Sequence, residues 1–176
     1  MKKVKQKKIT YPHKLHKLAK PLAEARHIAS GDSHYGKGTK GYRENDLEIH
    51  EEGIMGELIG HHQFGDTDST FAPLFSPVPC PEPDAVIGGK TVDFKGKKPD
   101  NYELTRLFIN KDAHHNPDKK CDLYVYYAFD ESTCKNGMCE ATRYVVDYSM
   151  VHDWNEGDWV QPCYYLDVTD ENTEEG

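Results

Sequence analysis

No stretch of this 176-residue chain approaches the roughly 18 consecutive apolar residues that a membrane helix needs, so no membrane is expected as a partner. The basic first residues are not followed by the apolar segment of a secretion signal. A cytoplasmic setting is therefore expected, the host cytoplasm if the source is viral. Cysteine is sparse: the five present are an odd number without dense spacing, which speaks against a secreted disulfide scaffold. Internal repeats are absent, and no base-reading motif is visible. Charged residues make up 30% of the chain and the mean hydropathy is −0.82, so much of it must be surface. The length still suffices for one domain with a sizeable core.

What is present is unevenly distributed. Residues 1–43 hold 12 Lys/Arg against two acids, Glu24 and Asp32, whereas the remaining 133 residues hold 10 against 28. A basic arm on an acidic body suits polyanion binding, although a solvated tail would have the same composition. The expected organisation is a basic arm with a helix over 1–43, a domain over 44–168 and an acidic tail over 169–176. Residues 1–9 are Lys-rich and expected to be mobile. Spacings of three and four among Leu15, Leu18, Leu22, Ala25 and Ile28 predict an amphipathic helix over 10–29, with Pro21 as a point of interruption. A glycine-rich basic loop follows, carrying Lys37, Lys40 and Arg43, a weak phosphate-binding signal. A second helix is predicted from about Asn45 to His62, with Leu47, Ile54, Met55, Leu58 and Ile59 as its buried stripe.

Residues 63–83, with five prolines, are expected to cross the molecule as an extended loop. Strands are predicted in the hairpin that follows, then over Glu103–Ile109, Asp122–Phe129, Ala141–Tyr148 and Cys163–Val168. Helices first and a mostly antiparallel run of strands afterwards give an α/β or mixed α+β class.

The hairpin carries the chemistry. Two short apolar runs flank Gly88-Gly89, and glycine accepts the positive φ that a two-residue turn requires. The turn fixes the pairing: Ile87 faces Lys90, Val86 faces Thr91, Ala85 faces Val92, and Asp84 faces Asp93. Directly opposed residues lie on one side of a sheet with Cβ atoms roughly 4.5–5.5 Å apart. Lys95 joins Asp93 on that side, while Val92 and Phe94 take the other. Opposed like charges destabilise a sheet unless something sits between them, and a divalent cation with oxygen ligands is the natural candidate. Taken singly, a Pro-Asp turn or an Asp-x-Lys triplet is ordinary surface; the register makes them a pair.

These residues resemble the PD-(D/E)XK nuclease superfamily. Pro83-Asp84 is similar to its PD element and Asp93-Phe94-Lys95 to its (D/E)xK element on the next strand. Gly53-Ile54-Met55-Gly56-Glu57-Leu58-Ile59 resembles the helix that supplies an earlier acid in many phage and mobile-element members. Asp122 to Tyr127 resembles the apolar-aromatic strand that follows the site. The acid before the lysine is Asp rather than the commoner Glu, and the loop before Pro83 is long. The resemblance implies a restriction-endonuclease-like mixed sheet flanked by helices, and Mg²⁺- or Mn²⁺-dependent hydrolysis of DNA. It implies Glu57, Asp84 and Asp93 as metal ligands with the Phe94 carbonyl, and Lys95 as the residue that orients or helps deprotonate the attacking water. A catalytically inactive nuclease-like module that binds nucleic acid or protein is the alternative. Enzymes that cut both strands often pair two sites, so a homodimer is open.

Lys97 and Lys111 join the loop cations as expected DNA contacts, with Lys119 and Lys120 solvating or lining the same path. The adjacent pairs His61-His62 and His114-His115 cannot easily serve one metal, so surface loop positions are expected. Trp154, Trp159, Tyr164 and Tyr165 are assigned to core and rim rather than to base stacking. Cys134 and Cys139 flank an Asn136-Gly137 turn and so become cross-strand neighbours. A disulfide and half of a zinc site are both open, but no second Cys/His pair completes four ligands, and reduced thiols without a role are expected.

Overall fold

A computed structural model describes residues 2–30, 46–65, 83–98, 106–159 and 161–176. The strands are β1 (Val4–Pro12), β2 (Ala85–Ile87), β3 (Lys90–Lys97), β4 (Arg106–Asn110), β5 (Leu123–Lys135), β6 (Met138–Asp147), β7 (Asn155–Asp158), β8 (Pro162–Asp167) and β9 (Thr173–Glu175). The helices are α1 (Lys14–Ser30), α2 (Asp46–Gln63) and the short α3 (Lys111–His115). The protein is a mixed α+β structure. A six-stranded mixed sheet has the order β2-β3-β5-β6-β1-β9, and a three-stranded sheet has the order β4-β8-β7. Among the described residues no helix is long and apolar enough to cross a membrane.

β5 is the central strand, and its sequence shows why. Val125, Tyr127 and Phe129 face one core with the helices, while Tyr124, Tyr126 and Ala128 face a second core shared with Leu107, Ile109 and Leu166 of the smaller sheet. A strand covered on both faces reads as a continuous apolar run rather than an alternation. β3 lies parallel to β5, with Asp93 beside Tyr124 and Lys95 beside Tyr126. The register is pinned at its start, where the backbone amide and hydroxyl of Thr91 both donate to the Asp122 carboxylate, at 2.8 and 3.1 Å.

The ends of the chain depart from expectation. Val4 to Ile9, expected to be mobile, lie in a strand instead: β1 pairs with β6 along eight residues and with β9 in parallel. β9 comes from the acidic tail, and Val4 and Thr173 are buried where the two strands meet. Lys2 pairs with Asp147 at 2.6 Å, and Lys3 donates to the Asp170 carbonyl at 3.0 Å. Part of the basic arm's charge is thus answered within the chain. Helix α1 runs on through Pro21. Its buried face is Leu15, Ala19 and Ala23, while Leu18 and Ile28 point outward. Alanines let the helix approach closely, so the larger apolar residues misreport the buried face. On α2, Ile54, Met55, Leu58 and Ile59 are buried as expected, but Leu47 is 40% exposed.

The adjacent histidines are not all surface loop residues. His61 lies on α2, buried edge-on against Phe94 at a centroid distance of 5.6 Å, and His114 lies on α3, fully buried. Their neighbours His62 and His115 are exposed. Successive residues on a helix point in different directions, which splits each pair into one inner and one outer ring. Residues 66–82 of the expected proline-rich crossing, and the part of the expected third strand before Arg106, fall outside the described residues, as do Lys37, Lys40 and Arg43.

Candidate active site

The Gly88-Gly89 turn has φ of 56° and 78°, positive at both central positions, and the ladder pairs Ala85 with Val92, Val86 with Thr91 and Ile87 with Lys90. The next pair outward is Asp84 and Asp93. Their side chains hydrogen-bond to one another, and the Phe94 amide donates to Asp84 Oδ2 at 2.8 Å. Lys95 Nζ lies 2.9 Å from Asp93 Oδ2 and 5.4 Å from the centroid of Tyr124.

Glu57 reaches the site from α2 because that helix sits against the strand without side chains between them. A Cβ on Gly56 would overlap the Gly96 backbone, and one on Gly96 would overlap the Glu52 carbonyl and lie 2.7 Å from the Gly56 nitrogen. This close approach sets Glu57 within electrostatic reach of Asp84, Asp93 and Lys95. Arg26 of α1 grips both oxygens of Glu57, at 2.9 and 3.0 Å. Reading the sequence did not single out Arg26, since nothing local distinguishes it from the other cations of the arm.

The electrostatics follow from this crowding. Burial, then the charges of Asp93 and Glu57, push the Asp84 carboxyl well above the ordinary carboxylate range; the Phe94 amide offsets only part of this. Burial also raises Glu57, with Arg26 opposing. For Lys95, burial opposes the charged form, but Asp93 outweighs it, with Tyr126 and Tyr124 adding to the effect, and the amine is held above its usual value. Lys95 is therefore an ammonium here, suited to holding an anion and orienting water rather than to taking a proton. Cys121 nearby is pushed up to about 12 by burial and then by Asp93, which keeps it a thiol.

The structure thus brings Glu57, Asp84, Asp93 and Lys95 together, with the Phe94 amide as part of the cluster. Among the expected DNA contacts, Lys97 lies farther along β3, 3.6 Å from Glu52. Lys111 belongs to the smaller sheet's surroundings, paired with Glu156 at 2.8 Å and set 5.1 Å from the centroid of Tyr164. Trp154 and Tyr164 are buried as expected, whereas Trp159 is exposed, packed on Tyr165 and Phe108 and close to Arg106.

Cys134 and Cys139 are joined as a disulfide, which corrects the expectation of reduced thiols. The Asn136-Gly137 turn, with φ of 53° and 78°, brings them together. Comparison with known protein families, with curated proteins and with solved structures finds no match to this chain.

Proposed function

We propose that this protein is a divalent-metal-dependent nuclease that hydrolyses phosphodiester bonds in DNA, on a restriction-endonuclease-like fold. The observation that carries the reading is the meeting of Asp84 and Asp93 beside the Lys95 ammonium, with Glu57 in electrostatic reach. The donor set fits Mg²⁺ or Mn²⁺: hard oxygen ligands, few in number, in a cluster where burial and then the charges of Asp93 and Glu57 hold the Asp84 carboxyl above its usual range. The resemblance of Pro83-Asp84 and Asp93-Phe94-Lys95 to the PD-(D/E)XK pattern supports the same conclusion.

Asp84 and Asp93 would hold the ion, with the Phe94 carbonyl as a further ligand and Glu57 contributing directly or through water. When bound, such an ion lowers the pKa of a coordinated water and offsets charge developing on the phosphate. The chain's own part is positional. Lys95 holds the scissile phosphate and orients the water, and Arg26 fixes the rotamer of Glu57 and limits the net charge it brings. Lys97 and the loop cations Lys37, Lys40 and Arg43 would meet the flanking phosphates. The phage or mobile-element role, the cytoplasmic setting and a homodimeric arrangement for cutting both strands belong to this reading.

A catalytically inactive nuclease-like binding module is the second reading, and the two-point grip of Arg26 on Glu57 favours it, because that acid already has a partner. Titration of Mg²⁺ or Mn²⁺ against plasmid, single-stranded and branched DNA separates the two. Cleavage that starts with the metal and disappears in Asp93→Ala is expected. Equal cleavage by Asp93→Ala and the parent would end the nuclease reading.

A further inference from the structure

We infer that Cys134, Cys139 and His16 form a second metal site, separate from the carboxylate cluster, that takes zinc or a similar borderline-soft cation when the disulfide is reduced. Two cysteines alone fall short of a zinc site, and no complementary Cys/His pair stands near them in the sequence. The tertiary structure supplies the third ligand from more than one hundred residues away. β1 runs along β6 with Tyr11 opposite Cys139 and Pro12 opposite Met138. At the hairpin tip the His13 amide donates to the Gly137 carbonyl at 2.9 Å, and the chain turns into α1. That turn sets His16 over the cysteines: one ring nitrogen and both sulfurs lie within 4.8 Å of one another.

Three further observations match what zinc sites need. The ligand set of two thiolates and one imidazole suits zinc, which accepts three protein ligands and an open fourth position. The imidazole is oriented by one outer hydrogen bond, between Tyr11 Oη and Nε2 at 3.0 Å, which leaves Nδ1 for the metal. Glu131 Oε2 lies 3.9 Å from Nδ1, placed to approach the fourth position. A cleft of about 100 Å³ opens onto His16, lined by Glu48, Glu51, Glu52 and Glu131 together with Lys98 and Phe129, so acids outnumber the one cation on the way in.

The redox step balances. A dithiol donates two electrons and two protons to the Cys134–Cys139 bond and leaves as its own disulfide. Metal binding then releases the two thiol protons while His16 binds as neutral imidazole. The hairpin therefore exchanges a covalent link for a coordinate one, and the coordinate one also ties down the start of α1.

Cobalt(II) tests this, because tetrahedral thiolate coordination gives it visible absorption and a sulfur-to-metal charge-transfer band. The full chain is titrated with Co²⁺ before and after treatment with a phosphine, which takes its oxygen from water and opens the disulfide. One Co²⁺ per chain with a charge-transfer band is expected only after reduction, displaced by Zn²⁺. Tyr11→Phe is expected to weaken binding by about 10–100-fold, and His16→Gln by more. Asp93→Ala is expected to leave the signal intact, so this site and the nuclease reading stand or fall separately. A reduced parent protein without the charge-transfer band overturns the proposal and needs no variant to interpret. So does a His16→Gln protein that keeps its circular dichroism and binds Co²⁺ as tightly as the parent.

Discussion

Two of the β-hairpins of this molecule are built alike and present opposite chemistry. At Gly88-Gly89 and at Asn136-Gly137 both central residues have positive φ, the two-residue turn that matches strand twist. Each turn brings a like pair of side chains face to face: Asp84 with Asp93 in one, Cys134 with Cys139 in the other. Each pair is joined by a group from a helix, Glu57 from α2 in the first and His16 from α1 in the second. Hard oxygens gather at one end of the sheet's ladder and soft sulfurs at the other hairpin. The difference lies in how each pair manages its proximity. The thiols relieve it by forming a bond. The carboxylates relieve it through the upward shift of the Asp84 carboxyl and the ion pair of Asp93 with Lys95.

The strongest test of that contrast is chemical. Asp93→Ala is expected to lower metal-dependent cleavage by at least roughly 10²–10³-fold, the scale of losing one preorganised electrostatic contact. Cys134→Ser is expected to leave cleavage unchanged. Rates on plasmid DNA, with circular dichroism as the check on folding, read both.

Next comes the packing that only the carboxylate hairpin depends on. Gly96→Ala pushes a methyl group into the Glu52 carbonyl, which is backbone and cannot swing aside. A loss of about 1–3 kcal/mol is expected from overpacking of this kind, measured by urea unfolding, together with weaker cleavage because α2 carries Glu57 away. A stable, fully active Gly96→Ala protein would show that the close approach of helix and strand does not position the site.

Contact with DNA provides a smaller effect. Lys97→Ala, on the strand of the carboxylate hairpin, is expected to reduce the slope of log affinity against log salt by about 0.9. Lys135→Ala, beside the cysteines, should leave the slope alone. Deleting residues 1–43 would not serve this purpose, since it removes β1 from between β6 and β9.

The smallest expected effect is one of sign with pH. Asp84 has a raised pKa in the folded state, so between its ordinary value and the folded value the native protein binds more protons than the unfolded chain. Its contribution to stability therefore declines as pH rises through that window. His16 is lowered, chiefly by burial, so the unfolded chain takes up its proton first and stability declines as pH falls from 6.5 towards the folded value. Without divalent metal, Asp84→Asn is expected to raise the melting temperature by a few degrees at neutral pH and to flatten its decline with rising pH. His16→Gln should flatten the acid side instead. His114, lowered to about 4 by burial and by His152 and His115, adds to that acid limb in both variants. Melting curves from pH 4 to 8 decide the matter, and identical profiles for the two variants would contradict it.

Several features were legible without coordinates because the interactions that create them are local. The Gly-Gly and Asn-Gly turns bring together residues fewer than ten positions apart, so the pairing of Asp84 with Asp93 and of Cys134 with Cys139 could be read directly. The apolar run of β5 and the stripe from Ile54 to Ile59 followed from periodicity. The helix bearing Leu15 was also visible, but its buried face was not, because Ala19 and Ala23 matter for their small size and not for hydrophobicity.

Sequence by itself determined which side chains oppose each other across a turn, since backbone sterics and a two-residue loop leave one register. Only the tertiary structure decided what else arrives at each pair. The grip of Arg26 on Glu57, the placement of His16 over the cysteines and the seating of β1 beside β9 join segments distant in the chain. Such contacts are selected by the burial of two shared cores and the sheet between them, and no local pattern encodes the partner.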